Sequence, residues 1–197
     1  MKQNLSDTQN QLLESTLHSR EIFKGKLLHV FKDQVKLPDE TESSREWIKH
    51  PGACAILPVF RDGSIMLIRQ FRYPVKQIFY EVPAGKIDPG ESPVTTAIRE
   101  TKEETGLKAG SIEYVGHFYP AIGYSDEIIH IYVAWDLIQL DQQSDDDEFV
   151  INVRIPFSEA LSMIQNNEIS DSKTISTLTK TRMWWKKFHP FPVEFNE

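Results

Sequence analysis

The chain has 197 residues, 40% of them hydrophobic and 26% charged, with 22 Lys and Arg against 29 Asp and Glu for a formal net charge of −7. This is a foldable globular chain of one domain, or one core with an appendage, and its negative field disfavours nucleic-acid backbones and anionic membranes. No run of 18 apolar residues and no apolar stretch near the start is present, and Cys54 is the lone cysteine, so a membrane span, a secretory signal, a disulfide framework and a multi-cysteine zinc site are all unexpected and the cytoplasm is the expected compartment.

Residues 1–17 are rich in Gln, Asn, Ser and Thr and read as a frayed arm or short helix. From Glu21 to Lys49 short apolar runs separated by Gly25 and the polar stretch 38–44 predict antiparallel ribbons, too small to form a core alone. Gly52–Phe60 and Ser64–Gln70 flank Arg61-Asp62-Gly63, whose Asp-Gly predicts a hairpin. A Pro/Gly-punctuated loop and an amphipathic helix follow, then strands over Tyr114–Phe118 and Glu127–Trp135. Asp141–Glu148 reads as an acidic loop, Val150–Ile155 as a strand, Pro156–Gln165 as a helix opened by Ser158, and Ser170–Lys187 as a final helix. The basic and aromatic run 181–191 predicts Trp184 or Trp185 covering a core or dimer face.

Chemistry concentrates in residues 85–107, GKIDPGESPVTTAIRETKEETGL. Pro89-Gly90 makes a turn, Ser92 and Pro93 supply the N-cap and first helical position, and Gly106 closes the helix. At about 100° per residue, Val94, Ala97, Ile98 and Thr101 form an apolar stripe beside Glu100, Glu103 and Glu104. Glutamates at i,i+3 and i,i+4 repel, so three together call for a cation. Oxygen-only donors suit Mg²⁺, with Mn²⁺ as a possible substitute, better than zinc.

The spacing of Gly85, Glu91, Arg99-Glu100, Lys102, Glu103-Glu104, Thr105, Gly106 and Leu107 resembles the signature box of the Nudix hydrolases, a match expected by chance on the order of 10⁻⁸ per window. Thr101 departs from the aliphatic residue usual there. The resemblance implies an α/β fold of α+β type, a Nudix α-β-α sandwich with a mixed β-sheet, here preceded by the N-terminal antiparallel ribbon. It divides the chain into residues 1–50, for dimerisation and nucleobase contacts, and residues 51–197, the hydrolytic domain. It further implies Glu100, Glu103, Glu104 and the Ala84 carbonyl as metal ligands, Glu103 being accessory, and a structural Glu91–Arg99 pair. The activity implied is metal-dependent hydrolysis of a nucleoside diphosphate linked to a second group.

Ile68–Pro74 and Tyr80–Gly85 resemble the ADP-ribose and nucleotide-sugar pyrophosphatase branch. By that resemblance Arg72 would hold a phosphate, Glu81 would face the diphosphate site, and Arg45 and Glu46 would contact the nucleobase. An acidic loop after the sheet carries the branch's general base, implying Glu148, with Asp146 as second choice, at a position where general-base catalysis gains from water within reach. Phe118–Glu127 resembles the branch's downstream loop, with Ile122 where ADP-ribose specialists carry proline. The expected substrate is therefore a small-molecule nucleotide sugar: ADP-ribose, or alternatively another such as GDP-mannose. A regulator that binds nucleotide sugars without cleaving them is the remaining alternative, and a homodimer the expected assembly.

Overall fold

A computed structural model describes residues 11–140 and 149–188. The chain divides into two compact units, one comprising Met1–His50 with Ala121–Glu127, the other Pro51–Pro120 with Ile128–Glu197.

In the first unit β1 (Ser15–Lys24), β2 (His29–Lys36) and β3 (Glu42–Lys49) form an antiparallel sheet in that order. Phe31 stacks on Trp47 at 5.0 Å, the Trp47 indole donates to Asp33 at 2.9 Å, and Ile48 N–H donates to the Tyr124 carbonyl at 2.8 Å. β1 begins where the sequence predicted an arm. All ten of its residues are exposed, so no buried face imposes the two-residue periodicity by which strands are recognised.

The second unit holds β4 (Ala53–Pro58), β5 (Ser64–Arg72), β6 (Gln77–Glu81), β7 (Ala84–Lys86), α1 (Pro93–Thr105), β8 (Leu107–Phe118), β9 (Ile129–Gln139), β10 (Val150–Pro156), α2 (Phe157–Gln165) and α3 (Ser172–Phe188). One mixed sheet runs β7-β4-β9-β8, with β4 and β9 parallel, and a second, antiparallel, runs β10-β5-β6. Every residue of β4 is buried, and alternation sends its side chains to two cores. Ala53, Ala55 and Leu57 join Phe157 and Ala160 of α2 and Leu178 and Trp185 of α3, while Cys54 and Ile56 join Ala97 of α1 with Tyr132 and Ala134 of β9. Helices thus cover both faces of the mixed sheet, which is the α-β-α arrangement expected. Trp185 is buried and Trp184 packs against the same core, the covering role predicted for one of them.

Three expectations are corrected. The Asp-Gly turn forms, with Phe60 N–H donating to Ser64 O at 2.8 Å, but β4 and β5 part into separate sheets beyond a single bridge between Val59 and Ile65. β4 is already flanked by β7 and β9, and so has no open edge for β5. β8 starts seven residues before Tyr114, because Leu107 and its successors pair with β9 as far as Gln139. α2 has no side-chain cap; Ser158 lies inside it and Pro156 precedes its first residue. Among the described residues no helix is long and apolar enough to cross a membrane.

Candidate active site

The site grows from the edge of the mixed sheet. β7 pairs with β4 through Ala53 with Lys86, Cys54 with Gly85 and Ala55 with Ala84, which fixes the Ala84-Gly85 backbone beside α1. The turn before α1 uses Gly90 at φ 87°, a left-handed conformation suited to glycine. Ser92 caps the helix by accepting from Thr95 N–H at 3.3 Å, and Gly106 ends it at φ 67° with its N–H donating to Lys102 O at 2.9 Å.

The buried face of α1 differs from the predicted stripe. Ala97 and Thr101 are buried as expected, but Val94 and Ile98 are 40% and 50% exposed, whereas Glu100 and Glu104 are 8% and 3% exposed. Two carboxylates therefore lie on the packed side of the helix, where an unpaired charge would be costly. Each has a partner. Glu104 Oε2 accepts the Ala84 N–H at 2.8 Å, and Glu100 Oε1 accepts from Arg99 Nη1 at 2.8 Å. Glu100 lies so close over Gly85 that a Cβ at that position would be driven into its carboxylate.

Arg99 is the hub of this group. Nη1 also donates to Glu103 at 2.8 Å, Nε and Nη2 bond both oxygens of Glu91 at 3.1 Å, Nη2 reaches the Lys86 carbonyl at 3.3 Å, and Asp88 lies 3.6 Å away. The Glu91 hydrogen bonds, ahead of the Glu103 contact and the Glu100 charge, raise the Arg99 pKa further. Arg99, then the Thr96 hydroxyl at 2.7 Å, holds the Glu91 carboxyl down at about 2. Glu100 and Glu103 meet on one guanidinium nitrogen while Glu104 turns to the backbone. As the side chains lie, with Glu100 and Glu103 drawn to Arg99 and Glu104 to the Ala84 N–H, no three His, Cys, Asp or Glu side chains among the described residues converge on one point. The donor chemistry nonetheless suits a hard divalent cation, since it consists of carboxylate oxygens beside the Ala84-Gly85 backbone and contains no thiolate or imidazole.

Arg72, the last residue of β5, donates through Nε and Nη2 to the two Glu81 oxygens at 2.7 and 2.6 Å. The Glu81 side chain is 3% exposed and that of Arg72 43%. Lys173, near the start of α3, donates to Glu81 Oε2 at 3.0 Å and to the Val82 carbonyl at 3.3 Å, and lies 3.1 Å from Asp171. Burial acts to raise the Glu81 pKa, but the Arg72 bonds and the Lys173 charge outweigh it and leave the carboxyl below its ordinary value. The sequence reading missed Lys173, together with Asp171, which caps α3 by accepting from Thr174 N–H at 2.9 Å. Asp171 before an apolar-periodic helix is an N-cap signature; nothing local indicates that the helix end meets Glu81, 92 residues earlier.

Arg45 and Glu46 belong to the first unit. There Arg45 pairs with Glu14 and bonds Ser43 and Ser44, and Glu46 lies 3.3 Å from Lys32. Asp146 and Glu148 lie outside the described residues.

A family model described as the NUDIX domain matches residues 48–178. The ADP-ribose pyrophosphatase of Bacillus subtilis (strain 168) is 39% identical over 165 residues, 83% of this chain and 89% of that protein. A methanol dehydrogenase activator of Bacillus methanolicus is 38% identical over 164 residues, 82% and 89% of the two chains. A GDP-mannose pyrophosphatase of Yersinia enterocolitica is 33% identical over 180 residues, 84% and 91%. A solved structure described as an ADP compounds hydrolase superposes with a TM-score of 0.79 at 24% identity, covering 89% of this chain and 96% of that one.

Proposed function

This chain belongs to the Nudix family, and from that premise we propose that it hydrolyses the pyrophosphate bond of ADP-ribose and related nucleoside diphosphate sugars. Water adds to one phosphorus and the bridging P–O bond breaks, so a nucleoside monophosphate and a sugar phosphate leave. The observation that carries this reading is the packing of Glu100 and Glu104 against the Ala84-Gly85 backbone, with Arg99 gathering Glu91, Glu100 and Glu103.

Nudix enzymes in general use divalent metals, and we assign Mg²⁺, with Mn²⁺ as substitute, to the Ala84 carbonyl, Glu100, Glu103 and Glu104. A bound divalent cation neutralises diphosphate charge and lowers the pKa of attacking water. The protein's own groups do the remainder. Glu91 and Arg99 lock the loop ahead of α1 to the helix. Arg72 has Nε and Nη2 committed to Glu81, so Nη1 is the nitrogen directed to a phosphate oxygen, a geometry suited to a guanidinium. The general base is Glu148, with Asp146 next, on the strength of their place just before β10. Arg45 and Glu46 take the nucleobase.

The same reading assigns residues 51–197 to hydrolysis and residues 1–50 to dimerisation in a cytoplasmic homodimer. It is supported by exposed Leu17, Ile22 and Phe23 on β1, which a second copy would cover. Ile122 before Gly123 favours a second reading, preference for another nucleotide sugar such as GDP-mannose.

Incubation with ADP-ribose and Mg²⁺ is expected to release AMP, which chelation with EDTA and Glu104→Gln each abolish. A panel of nucleotide sugars compared by kcat/KM separates the two readings, and no AMP above the Glu104→Gln control removes the first.

A further inference from the structure

The Arg72–Glu81 pair, assigned above to the diphosphate, is not self-supporting. Glu81 is a carboxylate with almost no solvent contact, and each of its oxygens accepts from Arg72, whose own side chain is nearly half exposed. Two cations hold this group charged in place, and the second comes from a different part of the chain: Lys173, 13% exposed, reaches Oε2 from the start of α3. The ammonium is itself held from three sides, by Glu81, the Val82 carbonyl and Asp171. The helix end is fastened separately, because the Thr174 hydroxyl accepts the Val82 N–H at 2.9 Å and donates to Asp171 at 2.7 Å.

We infer that Lys173 is a positioning residue for diphosphate binding: it fixes the Glu81 carboxylate, which fixes the Arg72 guanidinium with its remaining edge toward the ligand. The inference rests on Arg72 being a phosphate ligand, as proposed above. Without Lys173, Glu81 Oε2 loses a charged donor in a site that water scarcely enters, and the two Arg72 bonds no longer have one rigid acceptor. Arg72 then pays the entropy of ordering its long side chain only when the ligand arrives, which weakens binding with little effect on the chemical step.

The test compares steady-state kinetics on ADP-ribose with Mg²⁺, and thermal melting, for the wild-type chain, Lys173→Met, Thr174→Val, Arg72→Ala and the double variant Arg72→Ala/Lys173→Met. Lys173→Met is expected to raise KM about tenfold while kcat stays within about twofold. Thr174→Val, which loosens the same helix end but leaves the Lys173 ammonium and its bond to Glu81 in place, is expected to lower the melting temperature and leave KM alone. In the Arg72→Ala background the Lys173 substitution is expected to add no further rise. An unchanged KM in Lys173→Met, an equal rise in Thr174→Val, or a full Lys173 effect without Arg72 overturns the inference. Should Lys173→Met fail to fold, Lys173→Gln, which keeps a donor for the Val82 carbonyl, carries the same expectation. If the wild-type chain turns over no nucleotide sugar, the pyrophosphatase reading fails. ADP-ribose affinity by calorimetry then judges Lys173 by the same comparison, an unchanged affinity or no binding by the wild-type chain overturning it.

Discussion

Gly85 and Cys54 face each other across the β4–β7 pairing and show what single atoms decide in this site. At Gly85 the missing Cβ is what lets the Glu100 carboxylate lie against the strand. Gly85→Ala must move either the backbone or the carboxylate, and a shift of about 1 Å at a reacting centre costs on the order of a hundredfold. A loss of that size in kcat/KM, with a melting temperature lowered by only a few degrees, is the expected result; full activity would mean that Glu100 has no part in turnover. Cys54 illustrates the converse, an inert group in the same place. Its thiol is fully buried and donates to the Pro93 carbonyl at 3.0 Å, and burial, then the Glu100 and Glu91 charges, push its pKa up to about 12. Since the thiolate is the reactive form, a thiol reagent at pH 8 should label no cysteine in the folded chain and one after denaturation.

At the scale of elements, α1 was legible because its signals are local: Ser92, Pro93 and Gly106 bound it as its sequence predicts. Which side it buries was not legible, because hydropathy assigns Glu to water and cannot anticipate the partners that Arg99 and the Ala84 amide provide. The departure at Thr101 is benign for a physical reason. Its hydroxyl donates to the Ala97 carbonyl at 2.7 Å, and that carbonyl already serves the helix ladder. Thr101→Val should therefore change unfolding free energy by no more than about 1 kcal/mol, with kcat unaltered. The loop-to-helix lock has a pH signature. Glu91 falls from an ordinary 4.5 to about 2 on folding. A depressed folded value means that its contribution is complete above the unfolded pKa and disappears as pH drops from about 4.5 toward about 2. Denaturation midpoints of the wild-type chain should fall across that window more steeply than those of Glu91→Gln, and parallel curves would rule the lock out.

Across the whole molecule, the glutamate candidates for metal ligation and their helix could be read from a stretch of 23 residues, 85–107, because the relevant spacing is one of adjacent turns. The support for Arg72 could not, since Lys173 is brought to Glu81 only by the tertiary fold. The start of β1, before Glu21, was hidden for another reason: a strand exposed throughout carries little pattern. Those exposed residues make the proposed homodimer testable, since on that proposal light scattering should return twice the 22.8 kDa chain mass and removal of residues 1–24 should return one copy.

The parallel pairing of Ala53 with Ile129 also constrains how the protein can be made. On a ribosome adding about 5–20 residues each second, α1 emerges seconds ahead of the strand that completes the sheet beneath it. Through that interval Cys54, Ile56 and Ala97 await Tyr132 and Ala134. A translational pause within residues 107–139 lengthens the exposure of a nascent apolar surface, so slow codons in that stretch are expected to lower the yield of intact protein.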